Sequence, residues 1–146
     1  MKKFILVVSV FVYSAVVGQT ESSEGWSLFA RVKFDSKFIK EVNGYFLVPQ
    51  FDSKIKSLIG KEVIVKGYYM PFELPKNQLI ISRYPYSSCF FCGGAGPESI
   101  AEAVLKTKAP KLKVDQIITV KGKLKLNNSD VDHMNFILEE AEIIGN

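Results

Sequence analysis

Gly60-Lys61-Glu62-Val63-Ile64-Val65-Lys66-Gly67, echoed by Gln116-Ile117-Ile118-Thr119-Val120-Lys121-Gly122, is the stretch on which the fold turns. Val63 and Val65, with Gly67, fall on one side of an alternating run, the period of a strand with one buried face. The echo is too short to mark a duplication and reports strand chemistry. Glycine inside a long strand permits the sharp coiling by which a small sheet closes into a barrel. Outward from this stretch, the strand runs to Met70, stops at Pro71, and meets a hairpin partner, Gln78–Tyr84, across the polar turn Glu73–Asn77. Two later strands, Val114–Leu126 and Met134–Ile144, are joined by Asn127-Asn128-Ser129-Asp130, a turn-forming run. Between the pairs, Pro97-Glu98-Ser99 opens Ile100, Ala103 and Val104 with Glu102 and Lys106 at i,i+4, which predicts a helix.

Upstream, Trp26, Leu28, Ala30, Val32 and Phe34 alternate with Ser27, Arg31 and Lys33 and predict a strand. Asn43-Gly44, between Phe38–Val42 and Tyr45–Val48, predicts a hairpin, and Asp52–Ile59 a single helical turn stopped by Gly60. The expected fold class is therefore mainly β: an OB-like five-stranded barrel with an extra N-terminal hairpin and one helix between core strands three and four. The expected core is Val63, Val65, Ile118, Val120, Phe136 and Leu138, with the Ile100-Ala103-Val104 helix face plugging one end. A β-sandwich accommodates the single helix less well.

At 146 residues, 47% hydrophobic and 23% charged, the chain has the size and composition of one folded domain. Lys2 and Lys3 precede an apolar run, Phe4–Val17, of signal-peptide length, with Val16 and Gly18 suited to cleavage after Gly18. The expected organisation is a signal peptide at 1–18, a polar linker at 19–25 and one OB-like domain at 26–146. Loss of Lys2 and Lys3 takes the formal charge from +4 to +2. The expected location is outside the cytoplasm, periplasmic or secreted, with no transmembrane segment after cleavage. A charge that small, with export, argues against a nucleic-acid partner.

One loop carries chemistry. Tyr84-Pro85-Tyr86-Ser87-Ser88-Cys89-Phe90-Phe91-Cys92-Gly93-Gly94-Ala95-Gly96 holds both cysteines of the chain. Cys-x-x-Cys can ligate a metal, cycle between dithiol and disulfide, or rest oxidised as a small bridge. A helix beginning near Pro97 would aim its dipole at the sulfurs and favour thiolate. The candidate metal ligands are Cys89 and Cys92, with His133 remote in sequence beside Asp130 and Asp132 and read as a solvated turn residue. A closed four-cysteine zinc site is impossible within one chain. Gly93–Gly96 separate the motif from any helix, unlike thioredoxin, and Gly93 after the second cysteine excludes c-type haem attachment. The glycines lack the lysine of a P-loop. Phe90, Phe91, Tyr84 and Tyr86 pack over the barrel mouth or form a stacking platform. Glu139, Glu140 and Glu142 lie on a strand, where they alternate or face water and do not form a hydrolase pair.

Val48-Pro49-Gln50-Phe51, then Gly60-Lys61-Glu62-Val63, then Gly67-Tyr68-Tyr69-Met70-Pro71, Leu79-Ile80-Ile81 and the cysteine loop resemble uncharacterised exported bacterial domains of OB-like fold. Those domains share a Gly-Tyr-x-x-Pro strand end followed by a cysteine-bearing loop, and the resemblance covers roughly residues 45–105. It implies the fold, export and, for some members, an association with envelope metal transport. Where such relatives carry Cys-x-His, this chain has Cys89-Phe90-Phe91-Cys92. The expected function is a non-enzymatic accessory or binding domain with a soft-metal loop for zinc or copper and an envelope protein as partner. The alternatives are a thiol–disulfide redox protein, or a passive binding module whose Cys89 and Cys92 form a structural disulfide.

Overall fold

The computed structural model describes residues 23–145. The expected signal peptide, and the linker up to residue 22, lie outside them. Ser23–Glu24 form a short strand, β1, and Gly25–Phe29 a helix, α1. A hairpin follows, β2 (Lys33–Ile39) and β3 (Gly44–Gln50), then a helical turn, α2 (Ser53–Lys56). The remaining strands are β4 (Glu62–Met70), β5 (Gln78–Ser82), β6 (Ile100–Leu105), β7 (Ile117–Leu126) and β8 (Phe136–Gly145).

Five of these close into a barrel. β4 pairs antiparallel with β5 and with β7, β5 with β6, and β7 with β8, while β6 and β8 run parallel. The circuit β4-β5-β6-β8-β7 back to β4 is an OB-like barrel. β4 serves three partners: Glu62–Tyr68 pair with β7, Tyr68–Met70 with β5, and Val63 and Ile64 with the short β1, which runs parallel to it. Gly67 sits at the changeover, where a Cβ would stand 2.9 Å from Ile81 Cγ2 and press on the Ser82 carbonyl. Only glycine lets β5 come that close. All six residues expected in the core are fully buried.

The plug is not where the sequence placed it. Ile100–Leu105 is the central strand β6, not a helix, and no helix lies between β6 and β7. Pro97–Ser99 is one 3-10 turn. Glu102 does not reach Lys106, which pairs instead with Glu142 at 2.6 Å. The strand expected to start at Trp26 is likewise α1 first, with strand only from Lys33. Trp26 and Phe29, one helical turn apart, are its buried face. The Phe29 ring stacks on Phe136 with centroids 4.0 Å apart, and Trp26 meets Phe29 edge-on and donates its indole N–H to the Lys66 carbonyl at 2.8 Å. Two of the aromatic rings in the interior, Trp26 and Phe29, therefore come from the N-terminal helix, and Phe29 meets Phe136 of β8 there. Asp52 caps α2, its Oδ1 accepting from Ile55 N–H at 2.9 Å.

The β2–β3 hairpin forms its own two-stranded sheet, with Ile39 opposite Gly44 and a 3-10 turn over Lys40–Val42 before Asn43. Its apolar side chains are left largely in solvent, Tyr45 at 75% exposure. No helix among the described residues is long and apolar enough to cross a membrane.

Candidate functional site

The barrel strands present two sets of side chains by simple alternation. Val63 and Val65 of β4, Leu79 and Ile81 of β5, and Ala101 and Ala103 of β6 join the interior cluster. Met70, Ile80 and Ile100 have the opposite parity and form a second buried cluster on the outer face, together with Cys89. The cysteine loop folds back over the outer surface of β4, β5 and β6. Tyr68, Phe90 and Met134 pack against this second cluster.

Local chemistry shapes the loop. A 3-10 turn at Tyr86–Ser88 is pinned by Asp115, whose Oδ1 accepts from Tyr86 N–H at 2.7 Å. Cys89 is extended, and a second 3-10 turn, Phe90–Cys92, ends at Gly93 with φ 74°, a left-handed conformation suited to glycine. The Cys89 carbonyl accepts from the N–H groups of Cys92 and Gly94 at 3.1 and 3.2 Å. Arg83 N–H donates to the Ser99 carbonyl at 2.8 Å, closing the loop at its base.

This turn brings the two sulfurs to 3.9 Å from each other, both as free thiols. Two thiolates on a tetrahedral zinc, with Zn–S near 2.3 Å, stand about 3.8 Å apart. Cys89 is fully buried and Cys92 is exposed, its thiol donating to the Tyr86 carbonyl at 3.1 Å. Desolvation, then the hydrogen bond and charge of Cys89, push the Cys92 thiol above its ordinary range. That reverses the sequence expectation of a favoured thiolate, and the helix whose dipole was to supply it is replaced by a single 3-10 turn at Pro97–Ser99.

His133 does not join the thiols. Its Nδ1 stands 3.0 Å from both carboxylate oxygens of Glu102, a residue 3% exposed on the outer face of β6. Glu102 Oε2 also accepts from Met134 N–H at 3.2 Å. The Glu102 hydrogen bond and charge raise the His133 pKa above 6.5. Among the described residues, no three His, Cys, Asp or Glu side chains gather as a metal site. The expected solvent-facing role of Glu139, Glu140 and Glu142 holds: they pair with Lys125, Lys123 and Lys106.

Beside the cysteine loop lies a groove of about 460 Å³ between the β2–β3 hairpin and the β7–β8 turn. Phe46, Leu47, Phe90, Phe91 and Pro97 give it apolar walls, and Asp130 and His133 a polar rim. Of the aromatics read as packing over the barrel mouth, Phe90 is half-buried on the outer cluster, while Phe91, Tyr84 and Tyr86 are exposed. Phe91 packs against Phe72 from the β4–β5 loop, with centroids 4.6 Å apart and the rings tilted by 59°. Sequence reasoning missed Glu102, Met70 and Met134. One acid within the apolar run Ile100–Leu105 was the available sign for the first.

No family model and no curated protein matches this chain. Among solved structures it is similar to the crystal structure of a DUF3299 family protein from Pseudomonas aeruginosa PAO1, at 16% identity over 70% of this chain and 69% of that one, with a TM-score of 0.45.

Proposed function

We propose that this chain is an exported, non-enzymatic accessory domain that binds a soft metal ion, zinc or copper(I), through Cys89 and Cys92. The observation that carries the reading is the 3.9 Å separation of the sulfurs on a turn closed by Gly93. That separation suits two adjacent vertices of a thiolate-ligated metal. A tetrahedral ion would take its remaining positions from solvent or from an envelope partner seated in the adjoining groove. Metal entry replaces the thiol protons, so affinity rises with pH.

The redox reading has less support. An attacking cysteine needs exposure together with a depressed pKa. Here Cys89 is buried, and the exposed Cys92 is shifted upward.

The test is a chelator competition on the fully reduced protein with zinc(II) or copper(I). One equivalent of metal, bound tighter than micromolar and lost in the Cys89→Ser plus Cys92→Ser double variant, is the expected result. Micromolar or weaker binding that the double variant leaves unchanged would sink the proposal.

A further inference from the structure

The sequence has two cysteines and three methionines. All four of these residues that are described, Met70, Cys89, Cys92 and Met134, converge on the outer-face cluster. Met70 and Cys89 are within it, Met134 packs against it, and Cys92 stands 3.9 Å from Cys89. The interior cluster, with sixteen buried residues, contains no sulfur. Methionine is a general gap-filler in cores, but gap-filling does not explain why every described thioether belongs to, or packs against, the cluster that holds the only buried thiol, and none lies in the larger core.

Donor type separates the candidate metals. Zinc takes thiolate, imidazole and carboxylate, whereas thioether and thiolate together select copper(I). The nearest imidazole, His133, is held by Glu102. The cluster that holds Cys89 is otherwise sulfur and hydrocarbon, with Tyr68 packed against it. Ile80 and Ile100 share that cluster and Phe90 packs against it, an apolar setting on the Cys89 side that favours a low-charge complex. Two thiolates with one copper(I) carry a single negative charge, and a neutral thioether adds a third donor without adding more.

We infer that Cys89 and Cys92 bind copper(I) with a third sulfur from Met70 or Met134, an all-sulfur site on the outer face of the barrel. This rests on the dithiol reading above and narrows it to one metal. On binding, two S–H bonds are exchanged for two Cu–S bonds and two protons go to solvent. The copper stays in its monovalent state throughout.

The experiment is an anaerobic competition between the reduced protein and a chromogenic copper(I) chelator, run beside a zinc(II) competition, for the native chain, Met70→Leu, Met134→Leu and the double cysteine variant. Leucine for methionine conserves volume and keeps the fold, which circular dichroism checks. Copper(I) affinity should fall at least about tenfold in one methionine variant, with zinc affinity unchanged. Copper-edge X-ray absorption of the native complex, which depends on no variant, should count three sulfur neighbours. Two sulfur neighbours, or methionine variants that both bind copper(I) like the native chain, would overturn the thioether assignment and leave the dithiol standing. Copper(I) binding that survives loss of both cysteines would instead overturn the dithiol reading itself.

Discussion

The inner and outer faces of β5 and β6 are built from one alternating chain yet differ in kind. Inside, Leu79, Ile81, Ala101 and Ala103 meet valines, isoleucines and the stacked Phe29–Phe136 pair in a closed aliphatic and aromatic core. Outside, Ile80, Ile100 and Glu102 lie beneath an irregular cysteine loop and a polar turn, among sulfur atoms and one buried acid. Closing the barrel needs only apolar volume. Covering a face with loops brings in side chains whose chemistry differs from that of the barrel, so the inner face should govern stability and the outer face reactivity.

The largest expected effect tests the inner face. Phe136→Ala removes the ring on which Phe29 stacks and against which Phe51 also packs. A buried Phe→Ala change costs about 3–5 kcal/mol, read as a shift in the urea midpoint at constant slope. A cost under about 1 kcal/mol would show that α1 can refill the space, and the inner face would lose its dominance.

A smaller effect tests the buried acid. Glu102→Leu removes the acceptor for His133 and for Met134 N–H. Loss of charge-assisted hydrogen bonds of this kind costs about 1.5–3 kcal/mol. The same change should leave the dithiol's zinc affinity within about twofold, because the hydrogen-bond partners of Glu102 are His133 and the Met134 N–H and not the thiols. A large loss of zinc affinity would couple the buried acid to the thiols.

The cysteine pair should contribute less to stability than either. If the chain is exported to an oxidising space as proposed, the metal-free protein isolated without reductant should carry a Cys89–Cys92 bridge. A ring of that size adds about 2 kcal/mol at most from chain entropy. Mild dithiothreitol should therefore open it while the β-type circular dichroism persists. Two alkylatable thiols in the unreduced, metal-free protein would break this expectation, and loss of the β spectrum on reduction would make the bridge structural.

These two faces also explain what could be read in advance. Val63, Val65, Ile118 and Val120 were legible because β4 and β7 each keep one better-exposed side, so alternation survives in the sequence, and Phe136 and Leu138 because β8 keeps such a side beyond Leu138. Ile100–Leu105 is buried on both sides, alternation disappears, and Ile100, Ala103 and Val104 then match a helix equally well. Burial between β5 and β8 overrode that local preference. Cys89 and Cys92 were legible as a pair from spacing alone. Their neighbours were not, since Met70 and Met134 lie far along the chain and reach the loop only through the barrel's closure.

The smallest expected effect concerns the rim of the outer face and depends on pH. Glu102 raises the pKa of His133 above 6.5 in the folded chain. A histidine stabilised in its charged form contributes to folding fully below its unfolded pKa, near 6.5, and that contribution is lost as pH rises through the folded value. Native stability should thus fall from about pH 6 towards about pH 8, and the fall should be absent in His133→Gln. The His133 side chain is 41% exposed, so solvent screening holds the difference to at most about 1 kcal/mol. Parallel urea titrations of both proteins across that range would measure it. A native protein whose pH profile matches His133→Gln would show that the contact with Glu102 carries no charge pairing in solution, and the rim would then act on the outer face only through the Met134 N–H bond.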